Sequence, residues 1–227
     1  LGSSFSVVFL CVPLSSDVYN DRLNSLVMEH TEIFEKIASA AMYATERKGE
    51  DMMLYHDENQ YDISRYAEII FTPFDLTYDK REIQKKLFSS LQDIAETHDI
   101  MGFFAEANGC ILELLDKLDF ESEYNIVYEE DFNFTDFLKN YSVHICEPEG
   151  SFTERAIEYM INLKKLLDKN VFIFVNCDAY ISENDYFHLE KCVQHYGIYI
   201  LFLRNQQIPF QENINECIID KDLCEIH

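Results

Sequence analysis

Val171-Phe172-Ile173-Phe174-Val175 and Tyr199-Ile200-Leu201-Phe202-Leu203 are two apolar runs without a single charged position. A strand with one wet face alternates apolar and polar side chains, whereas a strand covered on both faces is apolar throughout. Both runs are therefore predicted as interior strands. Between them, Glu183 to Tyr196 has a helical pattern, and two such strands joined by a helix form a parallel β-α-β unit. The chain is accordingly expected in the α/β class, around a predominantly parallel sheet.

The remaining elements fit that reading. Phe5 to Val12, Leu26 to Met28, Met52 to Tyr55 and Ile69 to Thr72 are short strand candidates, the last closed by Pro73. The apolar opening, Phe5 to Leu14, has no basic residue before it and reads as a strand rather than a secretory signal. Thr31 to Ala44 is predicted helical, with Thr31 as N-cap and Ile33, Phe34, Ile37, Ala38 and Ala41 along one face. From Asp79 to Leu118 the helical pattern is almost continuous: Ile83, Leu87, Leu91 and Ile94 share one face, then Phe103, Phe104, Ala107, Ile111, Leu114 and Leu115 recur at helical spacing, with Gly102 and Gly109 as interruptions. Two or three helices are expected there, more than a compact sheet can cover. They define a projecting α-helical subdomain over residues 79–140, inserted into an α/β domain made of 1–78 and 141–227. A short helix from Phe132 to Asn140, a strand from Ser142 to Cys146, a Pro148 to Gly150 turn and a helix from Phe152 to Leu167 lead back to Val171, and Ile218 and Ile219 suggest a last edge strand.

An active nucleotide hydrolase of this architecture needs G-x-x-x-x-G-K-[ST], whose backbone N–H groups cradle phosphates. This sequence does not contain it. After Leu26 to Met28 it reads Glu29-His30-Thr31-Glu32, putting two carboxylates where a phosphate would sit. Asp178, following the Val171 to Val175 strand, is a candidate relic metal ligand or a simple cap of the next helix. His188 and His195 are two turns apart, too far to share one metal, and no G-x-S-x-G element is present. Seven scattered Cys without a C-x-x-C pair read as free thiols of a reducing cytoplasm. No apolar run approaches the roughly 20 residues of a membrane helix. No membrane partner is expected.

The 42 acidic against 18 basic residues leave a formal net charge of −24, which disfavours nucleic acid unless the charge is locally reversed or offset by cations. Glu113, Asp116, Asp119, Glu121, Glu123, Glu129, Glu130 and Asp131 form a carboxylate-dense stretch. Hard cations such as Ca2+ take six to eight oxygens from such clusters, although a solvated acidic loop has the same composition. The basic residues gather as Arg47 with Lys48; Lys80, Arg81, Lys85 and Lys86; and Lys164, Lys165 and Lys169.

The run Leu166-Leu167-Asp168-Lys169-Asn170-Val171-Phe172-Ile173-Phe174-Val175-Asn176, then Tyr180-Ile181-Ser182-Glu183-Asn184-Asp185, then Tyr199-Ile200-Leu201-Phe202-Leu203 resembles the C-terminal half of the Csn-two family, CRISPR-associated spacer-acquisition proteins of type II-A systems. Upstream, Leu26-Val27-Met28-Glu29, Glu68-Ile69-Ile70 before Asp75, and Leu115-Asp116-Lys117-Leu118-Asp119-Phe120-Glu121 follow the family order. The chain departs from the pattern before Leu26 and in a longer Ser122 to Asp131 segment. The resemblance implies a degenerate P-loop-NTPase-like head carrying an α-helical leg, assembled as a ring-shaped homotetramer stabilised by Ca2+. It implies non-catalytic, sequence-independent binding of linear double-stranded DNA ends, with the integrase proteins and effector nuclease of the locus as partners and a cytoplasmic location. Arg81, Lys85 and Lys86 are the expected phosphate contacts. Asp119, Glu121 and Glu123, followed by Glu113 and Asp116, are the expected metal ligands. An unusual nucleotide hydrolase and an acidic protein-binding scaffold are the alternatives.

Overall fold

The computed structural model describes residues 5–10, 23–46, 48–56, 59–130, 133–207 and 214–226. In chain order these form β1 (Phe5–Phe9), β2 (Leu23–Met28), α1 (Thr31–Thr45), β3 (Met52–His56), β4 (Asn59–Tyr61), α2 (Ile63–Tyr66), β5 (Ala67–Ile70), α3 (Arg81–Thr97), α4 (Ile100–Glu121), α5 (Phe134–Asn140), α6 (Phe152–Leu167), β6 (Val171–Val175), α7 (Glu183–Tyr196), β7 (Tyr199–Arg204), β8 (Asn215–Ile219) and β9 (Glu225–Ile226). Two compact units result, one from residues 1–77 and 147–227 and the other from 78–146.

The first unit is built on a six-stranded sheet of order β5-β6-β7-β2-β8-β9, parallel from β5 to β8 and closed by the antiparallel β9. All positions of β2, β6 and β7 are buried, as the apolar runs of β6 and β7 predict, and the burial takes in the polar Asn24 and Ser25 of β2 and Arg204 of β7. Side-chain alternation divides the sheet into two faces. Leu26, Met28, Ile173, Val175, Leu201 and Leu203 meet Ile37, Ala40, Ala41 and Ala44 of α1. The small alanines let the helix approach closely, and the same core takes in Val7, Phe9, Met52 and Leu54 from a separate antiparallel sheet β1-β3-β4. On the opposite face Phe174 meets Phe152 of α6 and Phe202 of β7, with ring centroids 6.1 and 5.6 Å apart, while Phe202 meets Tyr186 of α7 at 5.7 Å.

The helix ends follow local chemistry. Ser151 and Glu154 form a reciprocal capping box at the start of α6, and Gly197, at φ 65°, ends α7 in the left-handed conformation that glycine adopts without strain. Thr31 is inside α1; the N-cap is His30, in extended conformation and without a side-chain cap bond. The strand expected at Ile69 to Thr72 is shifted to Ala67–Ile70, because Thr72 instead caps a 3-10 turn at Pro73–Asp75 and Asp75 returns the bond to its backbone. β8 is not an edge: it pairs with β2 and with β9. Val12, expected in the first strand, lies outside the described residues, as does Phe132.

In the second unit, the break between α3 and α4 comes at Asp99, at φ 57°, not at a glycine. The short polar side chain of Asp tolerates this conformation, and the His98 N–H completes α3 by donating to Ile94 O. Gly102 and Gly109 remain helical within α4. Ile83 and Ala95 are the buried positions of α3, whereas Ile94 is 46% exposed. Phe104 of α4 meets Phe134 and Phe137 of α5 edge-on, both at 5.3 Å. Ser142 to Cys146 is not a strand: the chain leaves α5 through Ser142, at φ 49°, and Val143 N–H turns back to Leu138 O.

Candidate functional site

In an open parallel sheet, ligands bind beyond the carboxyl ends of the strands where the order reverses. Here that place is the end of β2, flanked by β7 and β8. Most of its polar groups are committed elsewhere, although His30 Nδ1 is buried without a hydrogen-bond partner among the described residues. The Glu29 N–H donates to Ile219 O at 3.0 Å, and the Glu29 carboxylate accepts from Gln207 Nε2 at 3.0 Å. The carbonyl of His30 accepts the N–H groups of Ile33 and Phe34, which opens α1 directly without a glycine-rich loop. At the end of β6, Asn176, at φ 51°, accepts the Asn205 N–H at 3.1 Å through Oδ1 and donates its own N–H to Leu203 O at 2.9 Å. Cys177 is buried, and its Sγ donates to the Ile70 and Val175 carbonyls. Asp178 begins a 3-10 turn, and its side chain lies outside the described residues. Two carboxylates, Glu29 and Glu32, face any anion here, and the turn between β2 and α1 contains no lysine to oppose them.

Arg81, Lys85 and Lys86 occupy the first two turns of α3, and all three are exposed. Arg81 and Lys85 are about 6 Å apart along the helix axis. None joins an ion pair among the described residues. Of the other clustered basic residues, Lys169, Lys164 and Lys48 have partners within the fold, whereas Lys165 is exposed. Lys169 is 6% exposed, donates to the Ser64 carbonyl at 2.7 Å and to that of Ala67, and lies 3.5 Å from Glu68. Lys164 donates to Asn170 Oδ1 and to Gly197 O. Lys48 is paired with Glu46 at 2.6 Å, and Arg47 lies outside the described residues.

The expected metal ligands are distributed along α4 and its exit. Asp116 accepts the Tyr128 hydroxyl, and Asp119 Oδ1 accepts the Ile126 N–H at 3.1 Å. These carboxylates fasten the following acidic segment to the helix. The hydrogen bond to Asp116 pushes the Tyr128 phenol up to about 12 from its ordinary 10.0, with burial and the charges of Asp116, Asp119 and Glu130 adding to it. Glu113, Glu121 and Glu123 are exposed nearby, and Asp131 lies outside the described residues. Their oxygens suit a hard cation, but no group of three or more His, Cys, Asp or Glu among the described residues is arranged to hold a metal ion. One chain therefore does not assemble Asp119, Glu121, Glu123, Glu113 and Asp116 into a coordination shell. Among the described residues, no helix is long and apolar enough to cross a membrane.

Sequence reasoning did not single out Tyr128, whose tie to Asp116 spans 12 positions and has no local signature. It also passed over Arg204, a charge at the end of an apolar strand and for that reason a visible anomaly. The family model described as CRISPR-associated protein (Cas_Csn2) matches residues 43–223, more than half of the chain.

Proposed function

The chain belongs to the Csn-two family of CRISPR-associated proteins, and from that premise we propose that it binds the ends of linear double-stranded DNA without catalysis during spacer acquisition in a type II-A system. The observation that carries this reading is a contrast within the molecule. The β2 end is occupied by Glu29 and its hydrogen bonds, whereas Arg81, Lys85 and Lys86 stand exposed on α3. Taken in chain order, the five parallel strands lie 2-3-4-1-5 across the sheet, which supports a P-loop-type head that has lost its phosphate loop. Residues 78–146 are the counterpart of the leg.

The binding form is a ring-shaped homotetramer in the cytoplasm, acting with the integrase proteins and effector nuclease of the locus. A ring concentrates a few basic side chains at its opening while the bulk of the net charge of −24 remains outside. Ca2+ supplies the offsetting positive charge, with carboxylates from more than one copy completing its shell. A gel-shift of linear against closed circular duplex tests this, with Ca2+ or chelator, alongside the solution mass. Linear duplex is retarded and closed circles are not; chelator and salt weaken the shift. Equal retardation of both topologies, or Mg2+-dependent release of phosphate from ATP, overturns the reading.

A further inference from the structure

The small sheet β1-β3-β4 opens onto a groove within the first unit. β4 stops at Tyr61, opposite Leu54, and the chain turns into α2 at Ile63, so Met52 and Met53 of β3 pair with β1 on one side and with no described strand on the other. Beside that open stretch of strand lies a cavity of about 940 Å3, lined by Ala44 of α1, Met52, Met53, Tyr61, Ile63 and the 48–51 loop. Its size is that of a ligand-binding cleft. Ala44, Met52 and Ile63 are its buried apolar lining, and Tyr61, edge-on to Tyr66 at 5.1 Å, adds a half-buried ring. The loop is held in place: the Lys48 N–H donates to Tyr43 O at 2.8 Å and the Leu10 N–H to Asp51 O at 2.7 Å. Gly49 passes so close to α1 that a Cβ there would lie 2.9 Å from Tyr43 Cβ.

The charge around the groove selects its occupant. Glu50, Asp51 and Asp62 line it, and Glu50 and Asp51 join no ion pair among the described residues. α1 ends here with no basic residue in its last turn, so its negative pole adds to those carboxylates. Lys48, the one cation among the described lining residues, is paired with Glu46. Anions are therefore repelled, and no group of three or more His, Cys, Asp or Glu among the described residues is arranged to hold a metal ion. A small organic cation would leave the edge of β3 unused. We propose that the groove takes an extended basic segment of another protein, whose backbone continues the line of β4 along Met52 and Met53 and whose arginine or lysine reaches Glu50, Asp51 and the end of α1. Strand addition supplies backbone hydrogen bonds, while the aliphatic stem of the basic side chain packs on Ala44, Met52 and Tyr61 and its head stays with the carboxylates. The site uses none of the residues assigned to DNA, so the two readings fail independently.

Fluorescence anisotropy of a labelled, end-blocked peptide Val-Arg-Val-Arg-Val with the full-length protein tests this. Saturable binding is expected, weakened about tenfold by Glu50→Gln with Asp51→Asn, and by a similar factor when N-methylation removes the peptide's strand donors. The same peptide with glutamate for arginine does not bind. Glu50 and Asp51 are exposed, so far-ultraviolet dichroism and the retardation of linear duplex stay as in the wild type. A peptide drawn only by the net charge of −24 would be indifferent to the double variant, and that indifference overturns the proposal, as does the absence of saturable binding. Spermidine competing as well as the peptide, with N-methylation without effect, would make this a small-cation site and overturn strand addition. Binding that appears only in Arg47→Ala would mean that the chain's own arginine takes the place, and overturns it likewise.

Discussion

The Arg204 guanidinium at the end of β7 meets the Glu216 carboxylate of β8 across the intervening β2, Nη1 to Oε2 3.1 Å, with Arg204 only 1% exposed. Ser25 of β2 donates to the same carboxylate at 3.2 Å, and Arg204 Nη2 donates to the Tyr186 hydroxyl at 2.9 Å. Three strands and α7 are thus joined by one buried charge and its partners. Removing Glu216 leaves the buried guanidinium without its carboxylate, a change that costs up to about 3–5 kcal/mol, whereas replacing both by apolar side chains is often neutral. Glu216→Ala is therefore expected to destabilise the first unit by about 3 kcal/mol, and Arg204→Met with Glu216→Leu to recover most of it. Urea midpoints at constant slope measure both.

Gly150 holds φ 102°, and a Cβ added there would lie 2.4 Å from Glu154 Oε2, the carboxylate that accepts the Ser151 N–H at 2.8 Å. Gly150→Ala strains the left-handed backbone and displaces the cap of α6, a loss of about 2 kcal/mol. Ser151→Ala removes only the cap and costs about 1 kcal/mol. Thermal unfolding that ranks the two substitutions in the opposite order would refute this account.

The same caps respond to acid. The Ser151 backbone N–H and hydroxyl hold Glu154 below its ordinary 4.5. For Asp185, partial burial acts upward, but the hydroxyl and backbone N–H of Ser182 outweigh it and bring the group below 3.8. A carboxylate depressed in the folded state stabilises the fold above its unfolded value, and that contribution is lost as pH falls through the folded one. Glu154→Gln and Asp185→Asn are expected to reduce stability at neutral pH and to flatten its decline on the acid side. Denaturation midpoints from pH 7 down to about 3 read the slope.

What could be read from sequence follows from how local each cause is. β6 and β7 needed only their own composition, and α6 was marked off by the Pro148 to Gly150 turn before it. β4 and α2, of three and four residues, are too short to express a period, and Ser142 to Cys146 has strand composition but no strand beside it to pair with among the described residues. Asp99 breaks the helix in the left-handed conformation, whereas Gly102 and Gly109, both exposed, stay helical. At the candidate site, the exposure of Arg81, Lys85 and Lys86 followed from helical spacing. The anchoring of Asp116 and Asp119 by Tyr128 and Ile126 depends on the return path of the segment after α4, which no spacing rule encodes.

Tyr128 gives that anchoring a spectroscopic handle. Its phenol, held at about 12 by the bond to Asp116, is raised in the folded state, so the bond's contribution is present below pH 10 and is lost as pH rises through 12. Absorbance titration of phenolate is expected to show one late tyrosine fewer in Asp116→Asn than in the wild type. Tyr128→Phe leaves the helices intact and speeds amide exchange in residues 122–130. Unaltered exchange there would mean that the bond does not hold the segment.

The proposed DNA-binding residues on α3 are separable by experiment from the structural lysines. Deleting one side chain that neutralises a phosphate lowers the slope of log affinity against log salt by about 0.9. Arg81→Ala, Lys85→Ala and Lys86→Ala remove exposed side chains without unpairing a partner among the described residues, so stability stays within about 0.5 kcal/mol while binding to linear duplex weakens and its salt slope falls. Lys165→Ala, another exposed lysine, leaves both unchanged. Lys169→Ala behaves oppositely: it strips the buried partner of Glu68 and the donor to Ser64 and Ala67, and so lowers the unfolding midpoint with no change in salt slope for the folded fraction. A salt slope that falls with Lys169→Ala and not with the α3 variants would move the phosphate track from the second unit to the first.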